Sequence, residues 1–244
     1  MELTERDRAL LRHLAAARWL TTRQVAALVF TGVSHSMVCR RLRMLRRGRF
    51  VRAVRENSMA EALHTLGARG REALGELGWG RRIALERSPP ANRPHFTGIN
   101  DIRIAVLRSV HREGAHLDFF FASWELAERG WPYHVMPDAA CAVSLDGKSA
   151  TALFEYDRGT EGTAYVIERK LKRYAAGLEG FPFSRVIIVV VTARRLERLS
   201  REAALHAKDQ RFTFLARDAL PGWSVRDLWD RDGSGRGSRE GSGA

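Results

Sequence analysis

Three of this chain's seven prolines fall within seven residues, Ser88-Pro89-Pro90-Ala91-Asn92-Arg93-Pro94. Proline fixes its own φ, has no amide proton to donate and turns the residue before it away from the helical region. No helix interior or central strand runs through such a stretch, so it reads as a linker over 88–94. The chain then divides into an N-terminal domain, 1–87, and a second domain, 95–230. Each is long enough to bury a core of its own. Residues 231–244, with their Gly, Ser and Arg, read as a disordered tail.

The first domain is legible from its helix starts. Thr4 with Asp7, and Thr21 with Gln24, are capping pairs. Each precedes an apolar stripe: Leu10, Leu11 and Leu14, then Val25, Leu28 and Val29. A tight turn at Thr31-Gly32 opens a third helix at Ser34, which Gly48 ends. On it Val38, Leu42 and Leu45 form the apolar stripe, and Ser36, Arg40, Arg43 and Arg47 line the opposite face. Alternating strands over 51–55 and 62–66 flank a polar loop, and Gly67-Ala68-Arg69-Gly70 turns into a helix bearing Leu74 and Leu77. Helix, helix, basic helix, hairpin, helix is the order of a winged helix-turn-helix whose third helix suits a DNA major groove. His35, Ser36, Arg40 and Arg41 are the candidates for base contact. Arg43, Arg47 and Arg52 complete the expected DNA-binding set, with phosphate contact the default for any arginine. The bland alternative is a three-helix interaction module with a solvated arginine face.

Charge points to a polyanion. The formal net charge is +13, and residues 1–60 hold 13 Arg against four acidic residues. RNA or anionic lipid would answer to charge alone equally well. The basic residues are nearly all Arg, with Lys only at 148, 170, 172 and 208. Arginine makes bidentate contacts with phosphate and guanine that lysine cannot. Cys39 and Cys141 fit no metal spacing, which argues for a reducing cytoplasm over a disulfide framework. No signal peptide or apolar run of spanning length is read, so no membrane partner is expected.

The second domain opens with a helix over 95–112, whose Ile99, Ile102, Val106, Leu107 and Val110 face a core. Strand-like residues 118–121 and a helical turn at 124–128 follow. Strands over 140–145 and 150–156 meet at Asp146-Gly147, a strong hairpin signal. A helix over 164–176, a buried strand over 185–191, a helix over 194–207 and a strand over 212–216 complete the order. Asp138, just before one strand, and Glu155, closing the next, bring two carboxylates to one sheet edge. A hard divalent cation such as Mg²⁺ is held by oxygens of this kind.

Pro137-Asp138 and Glu155 resemble the first two places of the Pro-Asp, Asp/Glu-x-Lys motif of the restriction-endonuclease-like superfamily. Asp157 stands where that motif has Lys. Some members of the superfamily carry the Lys on the following helix, which here makes Lys170 the candidate, and Asn100 and Asp101 lie where a further acidic group is often placed. The chain from about Leu3 to about Leu215 also resembles the replication-relaxation family of plasmids and integrative elements. The carriers are Thr65-Leu66-Gly67 with Gly70, His95, Pro137-Asp138, Phe154-Glu155-Tyr156-Asp157-Arg158-Gly159-Thr160-Glu161 and Lys170-Leu171 with Tyr174. In that family Asp at position 157 looks like the rule. The resemblances imply an α+β protein: a winged helix-turn-helix, then a restriction-endonuclease-like domain with a mixed sheet flanked by helices.

Three functions follow, in order of preference. The first is a DNA-binding accessory or regulatory protein of a mobile element, binding double-stranded DNA as a homodimer, with an inactive nuclease-like domain and no cofactor. In that reading the helix over 95–112 is the candidate for pairing. The second is a Mg²⁺-dependent endonuclease or nickase, with Asp138, Glu155, Asp157 and Lys170 catalytic and Asp138 and Glu155 on the metal. The third is an adaptor for a relaxase or replication protein. For Asp157 two roles stay open, a third ligand or an ion-pair partner of Lys170, and Tyr174 reads more readily as packing.

Overall fold

The computed structural model describes residues 2–78, 85–177, 183, 185–206 and 211–229. The expected tail lies outside them. The chain forms two compact units, Met1–Ile104 and Ala105–Ala244.

In the first unit, α1 (Glu5–Ala17) starts where Thr4 Oγ1 accepts the Asp7 amide and Asp7 Oδ2 accepts the Thr4 amide at 2.8 Å. Thr21 and Gln24 repeat the arrangement at the head of α2 (Thr22–Val29). Such reciprocal caps satisfy amides that a first helical turn otherwise leaves without acceptors. Gly32, at φ +77°, makes the turn into α3 (His35–Arg47). Leu10, Leu11, Leu14, Val25, Val38, Leu42 and Leu45 share one core, which explains the helical spacing of each set.

A strand missed in the sequence, β1 (Leu20–Thr21), precedes α2 and pairs antiparallel with β3 (Leu63–Leu66), which pairs in turn with β2 (Val51–Val54). Two residues are too short for alternation to show. The turn into α4 (Ala68–Glu76) explains two glycines: a Cβ on Gly67 would lie 2.2 Å from the Arg49 carbonyl oxygen, and one on Gly70 2.3 Å from that of Phe50. Only a residue without a side chain lets those backbones pass.

Packing divides the chain inside α5 (Arg93–Glu113), beyond the proline-rich stretch. Pro94 sits in the first turn of α5, where no amide is needed. Asn100 is fully buried and donates to the carbonyls of Trp19 at 2.8 Å and Ala17 at 3.3 Å. Gln24 donates to the Thr97 carbonyl and to Asp101 Oδ1, at 2.8 and 2.7 Å. Asn100 and Asp101 therefore serve the first unit, a correction to their expected place beside the second domain's carboxylates. Of the apolar set on α5, Ile99, Ile102 and Val106 are buried and Leu107 and Val110 half-buried.

The second unit holds a mixed five-stranded sheet in the order β4 (His116–Ala122), β5 (Ala139–Leu145), β6 (Lys148–Asp157), β7 (Arg185–Val190), β8 (Phe212–Ala216) among the described residues. The first three strands run antiparallel and the last three parallel. A two-residue turn, Asp146 at φ +51° and Gly147 at φ +75°, joins β5 to β6, as the Asp-Gly pair requires. After β4 comes α6 (Ser123–Glu128). A parallel neighbour needs a crossover, and β6 reaches β7 through α7 (Thr163–Tyr165), a π-helical turn (Val166–Leu171) and α8 (Lys172–Gly177). Helix α9 (Ala193–His206) crosses between β7 and β8.

Period-two alternation sorts β6 into two faces. Phe154 looks toward Phe120 and Trp223, with ring centroids 6.4 and 5.9 Å away. Leu153, and with it Glu155 and Asp157, belongs to the opposite face, where Leu171, Tyr174, Ile188 and Val190 pack. Both acidic residues of the Glu-x-Asp block therefore enter one helix-covered layer. Among the described residues no helix is long and apolar enough to cross a membrane.

Candidate functional site

On α3 the buried residues Val38, Leu42 and Leu45 turn Ser36, Arg40, Arg43 and Arg47 to solvent. None of these three arginine side chains has a hydrogen bond or ion pair to another described residue. Ser36 meets Ser34 Oγ at 3.2 Å, and exposed His35 lies 3.3 Å from Cys39 Sγ.

Two of the expected DNA-binding residues are otherwise engaged. Arg41 Nε donates to Asp7 Oδ1 at 2.8 Å and its Nη2 pairs with Oδ2. Asp7 is fully buried. Burial pushes its carboxyl up, but hydrogen bonds from Arg41 and Thr4 outweigh that and hold it below its usual value. Arg41 thus ties α3 to α1, a structural role that its neighbour Arg40 does not share. Arg52 donates to the Arg87 carbonyl at 2.8 Å and lies 5.9 Å from the centroid of the Trp19 ring. It belongs to the packing around that ring.

In the second unit Asp138 immediately precedes β5, and its Oδ2 accepts the Tyr156 amide at 2.8 Å. Glu155 is only 6% exposed. Lys170 Nζ donates to its Oε2 at 3.1 Å, and the Tyr174 hydroxyl donates to its Oε1. Lys170 also meets Glu161 at 3.2 Å. The π-helical turn carries Lys170 and continues into α8 with Tyr174, which sets both groups over the end of β6. Tyr174, expected to pack, does so with its ring and also binds with its hydroxyl.

Asp157 goes elsewhere. Its Oδ2 accepts Arg195 Nε and its Oδ1 accepts the Gly159 amide, both at 2.8 Å. Arg195 continues to Thr163 Oγ1 at 3.1 Å and the Glu161 carbonyl at 2.8 Å. The residue at the motif's Lys position therefore pairs with Arg195 and not with Lys170. It anchors the loop after β6 to α9. Arg195 was missed because nothing in its surroundings marks it and it lies 38 residues beyond Asp157.

The electrostatics follow from burial. Removal from water pushes the Glu155 carboxyl up, the Asp138 carboxylate adds to it, and Lys170 and Tyr174 oppose it, leaving it at about 7. Burial would lower the Lys170 ammonium, yet Glu155 and Glu161 hold it above its ordinary value. Burial and the same glutamate push the Tyr174 phenol well up, so it stays a donor.

A divalent cation fits this arrangement poorly. Mg²⁺ takes near-octahedral oxygen ligands, whereas both oxygens of Glu155 answer to an ammonium and a phenol. Asp138 adds one carboxylate, and no group of three His, Cys, Asp or Glu suited to a metal occurs among the described residues.

A family model described as replication-relaxation matches residues 11–190. No curated protein matches the chain. Among solved structures, the restriction endonuclease FokI is similar at 12% identity and a TM-score of 0.34, over 94% of this chain and 47% of FokI. FokI bound to DNA gives 12% and 0.29, over 93% and 48%. The chain spans about half the length of these FokI chains, and a likeness so distant says nothing about activity.

Proposed function

Because the chain belongs to the replication-relaxation family, we propose that it is a double-stranded-DNA-binding protein serving replication or relaxation of a mobile element, as an accessory or regulatory factor. The observation that carries this reading is the outer face of α3, where Arg40, Arg43 and Arg47 are exposed and unspent beside Ser36. An arginine side chain with no partner among the described residues can exchange counterions for phosphates. The Arg41–Asp7 tie and the buried stripe of Val38, Leu42 and Leu45 hold α3 in place, so docking costs little reordering. The hairpin of β2 and β3 acts as the wing of a winged helix-turn-helix.

In this reading the second unit's Glu155 cluster is a buried charge assembly that clamps the π-helical turn and α8 onto the sheet. Lys170 neutralises Glu155 and so serves the fold, with no water activated there.

Binding to duplex DNA across a range of salt, with and without Mg²⁺, tests the proposal. The expected result is a steep salt dependence, equal in EDTA and in Mg²⁺, that weakens when Arg40, Arg43 and Arg47 are replaced by Ala. Supercoiled plasmid serves as the companion substrate. Metal-dependent nicking that disappears in Glu155→Gln would overturn the assignment of that cluster and make the chain an endonuclease. Absence of DNA affinity at physiological salt would overturn the proposal as a whole and favour an adaptor.

A further inference from the structure

A cavity of about 590 Å³ opens in the first unit, bounded by α3, the start of α2 and the β2–β3 hairpin. Three guanidinium groups line it, from Arg43 and Arg46 on α3 and Arg55 just after β2. None of the three makes a hydrogen bond or ion pair with another described residue. Like charges gathered around a concavity, with no carboxylate among the described residues that line it, leave an unanswered positive potential. The apolar part of the wall comes from Leu42, Ala53 and Ala62.

His64 adds a neutral ring to the wall. It lines the same cavity, is 6% exposed and meets Thr22 Oγ1 through Nε2 at 2.9 Å. Its other ring nitrogen, Nδ1, is buried without a partner among the described residues. Burial, with Arg46 and Arg55 nearby, pushes the imidazole down to about 4. The wall at neutral pH is therefore three cations beside a neutral ring.

We infer that this cavity is a binding site for a phosphate-bearing ligand of nucleotide size, with Arg46 and Arg55 holding the phosphate and the apolar wall covering the nucleoside. The volume lies in the range of small-molecule pockets and exceeds what a bare phosphate fills. A free nucleotide and a nucleotide of a bound DNA strand present the same chemistry. The site shares Arg43 with the outer face of α3 and the β2–β3 hairpin with the proposed wing, so where the ligand is a nucleotide of a bound strand the inference rests on the DNA-binding reading.

Cys39 provides the probe. It lines the cavity and is half-buried, whereas Cys141, the chain's other cysteine, is buried with its thiol pushed up to about 12. Alkylation of the full chain with iodoacetamide therefore reports on Cys39. The expected result is saturable protection by adenosine 5′-monophosphate, weaker protection by inorganic phosphate and none by adenosine. Arg46→Ala and Arg55→Ala should each raise the half-protecting concentration by about tenfold, the usual loss for one charge-assisted contact. Arg12→Ala, on exposed α1 surface, should leave it unchanged and so controls for net charge.

A second arm replaces the mononucleotide with duplex and single-stranded oligonucleotides. Protection by DNA alone, lost in Arg46→Ala and Arg55→Ala and kept in Arg12→Ala, identifies the ligand as a nucleotide of the strand. Protection by DNA that ignores both substitutions means that α3 merely shields Cys39, which sinks this inference and leaves the DNA-binding proposal standing. Protection by no phosphate compound, or equal protection by inorganic phosphate and the mononucleotide, overturns it as well.

Discussion

Glu155, read from the sequence as a candidate catalytic carboxylate, has both of its oxygens engaged by neighbours in the fold. Its burial is costly unless both oxygens are answered, and Lys170 and Tyr174 answer them. Removing the cation alone should therefore hurt more than removing the pair. Lys170→Met is expected to destabilise the second unit by about 3 kcal/mol in urea denaturation, with much of the loss recovered in the Lys170→Met, Glu155→Gln double variant. Tyr174→Phe, which keeps the ring and removes the donor, should cost about 2 kcal/mol. The carboxyl of Glu155 is raised from 4.5 to about 7 in the folded chain. A raised value means the folded state binds the proton more tightly, so this residue's share of stability is complete below 4.5 and is lost as pH rises through 7. Glu155→Gln should flatten that slope, and an unchanged slope in the variant would place its origin elsewhere. Lys170 was legible because lysine is rare in this chain and this one follows the motif at helical distance. Arg195 was not, since an ion pair between distant strand and helix ends leaves no local pattern.

At the scale of elements, α3 carries the proposed DNA contacts on one face and its packing on the other. Arg40, Arg43 and Arg47 lie opposite the buried stripe, so replacing all three by Ala should leave circular dichroism and thermal unfolding nearly unchanged. The slope of log affinity for DNA against log salt should meanwhile fall by about 2.7, or 0.9 per lost phosphate contact. Arg41→Ala should do the reverse, lowering stability with little change in slope, because its guanidinium serves Asp7. The turn before α4 makes another demand. Gly67→Ala and Gly70→Ala would each push a Cβ into backbone, at 2.2 and 2.3 Å from a carbonyl oxygen. Each should destabilise the first unit by about 2 kcal/mol, measured as a shift in its unfolding midpoint. The helices, hairpins and most strand limits were readable, since caps and turn residues act within four positions of the element they bound. The two-residue strand β1 was not, because its existence depends on β3 more than forty residues away.

Across the whole molecule the two units should respond to pH in opposite directions. In the first, burial pushes His13 down to about 4, aided by Arg103, and pushes His64 down to about 4, aided by Arg46 and Arg55. A lowered value means the unfolded chain binds the proton more tightly. These residues' contribution is present above 6.5 and lost as pH falls through 4. Glu155 works the other way in the second unit. Hydrogen exchange followed by peptide mass spectrometry, at about pH 5 and about pH 7 and corrected for intrinsic rates, should show α1 and β3 less protected in acid and β6 and α8 more protected. Parallel change in both units would contradict the assignment.

Pattern was enough for whatever depends on neighbours in the chain. Capping pairs, the Asp-Gly hairpin, the apolar stripes and the two faces of α3 all follow from spacing, and so does the entry of Glu155 and Asp157 into one layer. Tertiary structure alone decided which charges meet. It sent Arg41 to Asp7, Asp157 to Arg195, and Lys170 with Tyr174 to Glu155, and it moved the packing boundary from the prolines into α5. The physical reason is that backbone geometry is set within a few residues, whereas a buried charge takes whichever partner the folded chain brings within about 3 Å.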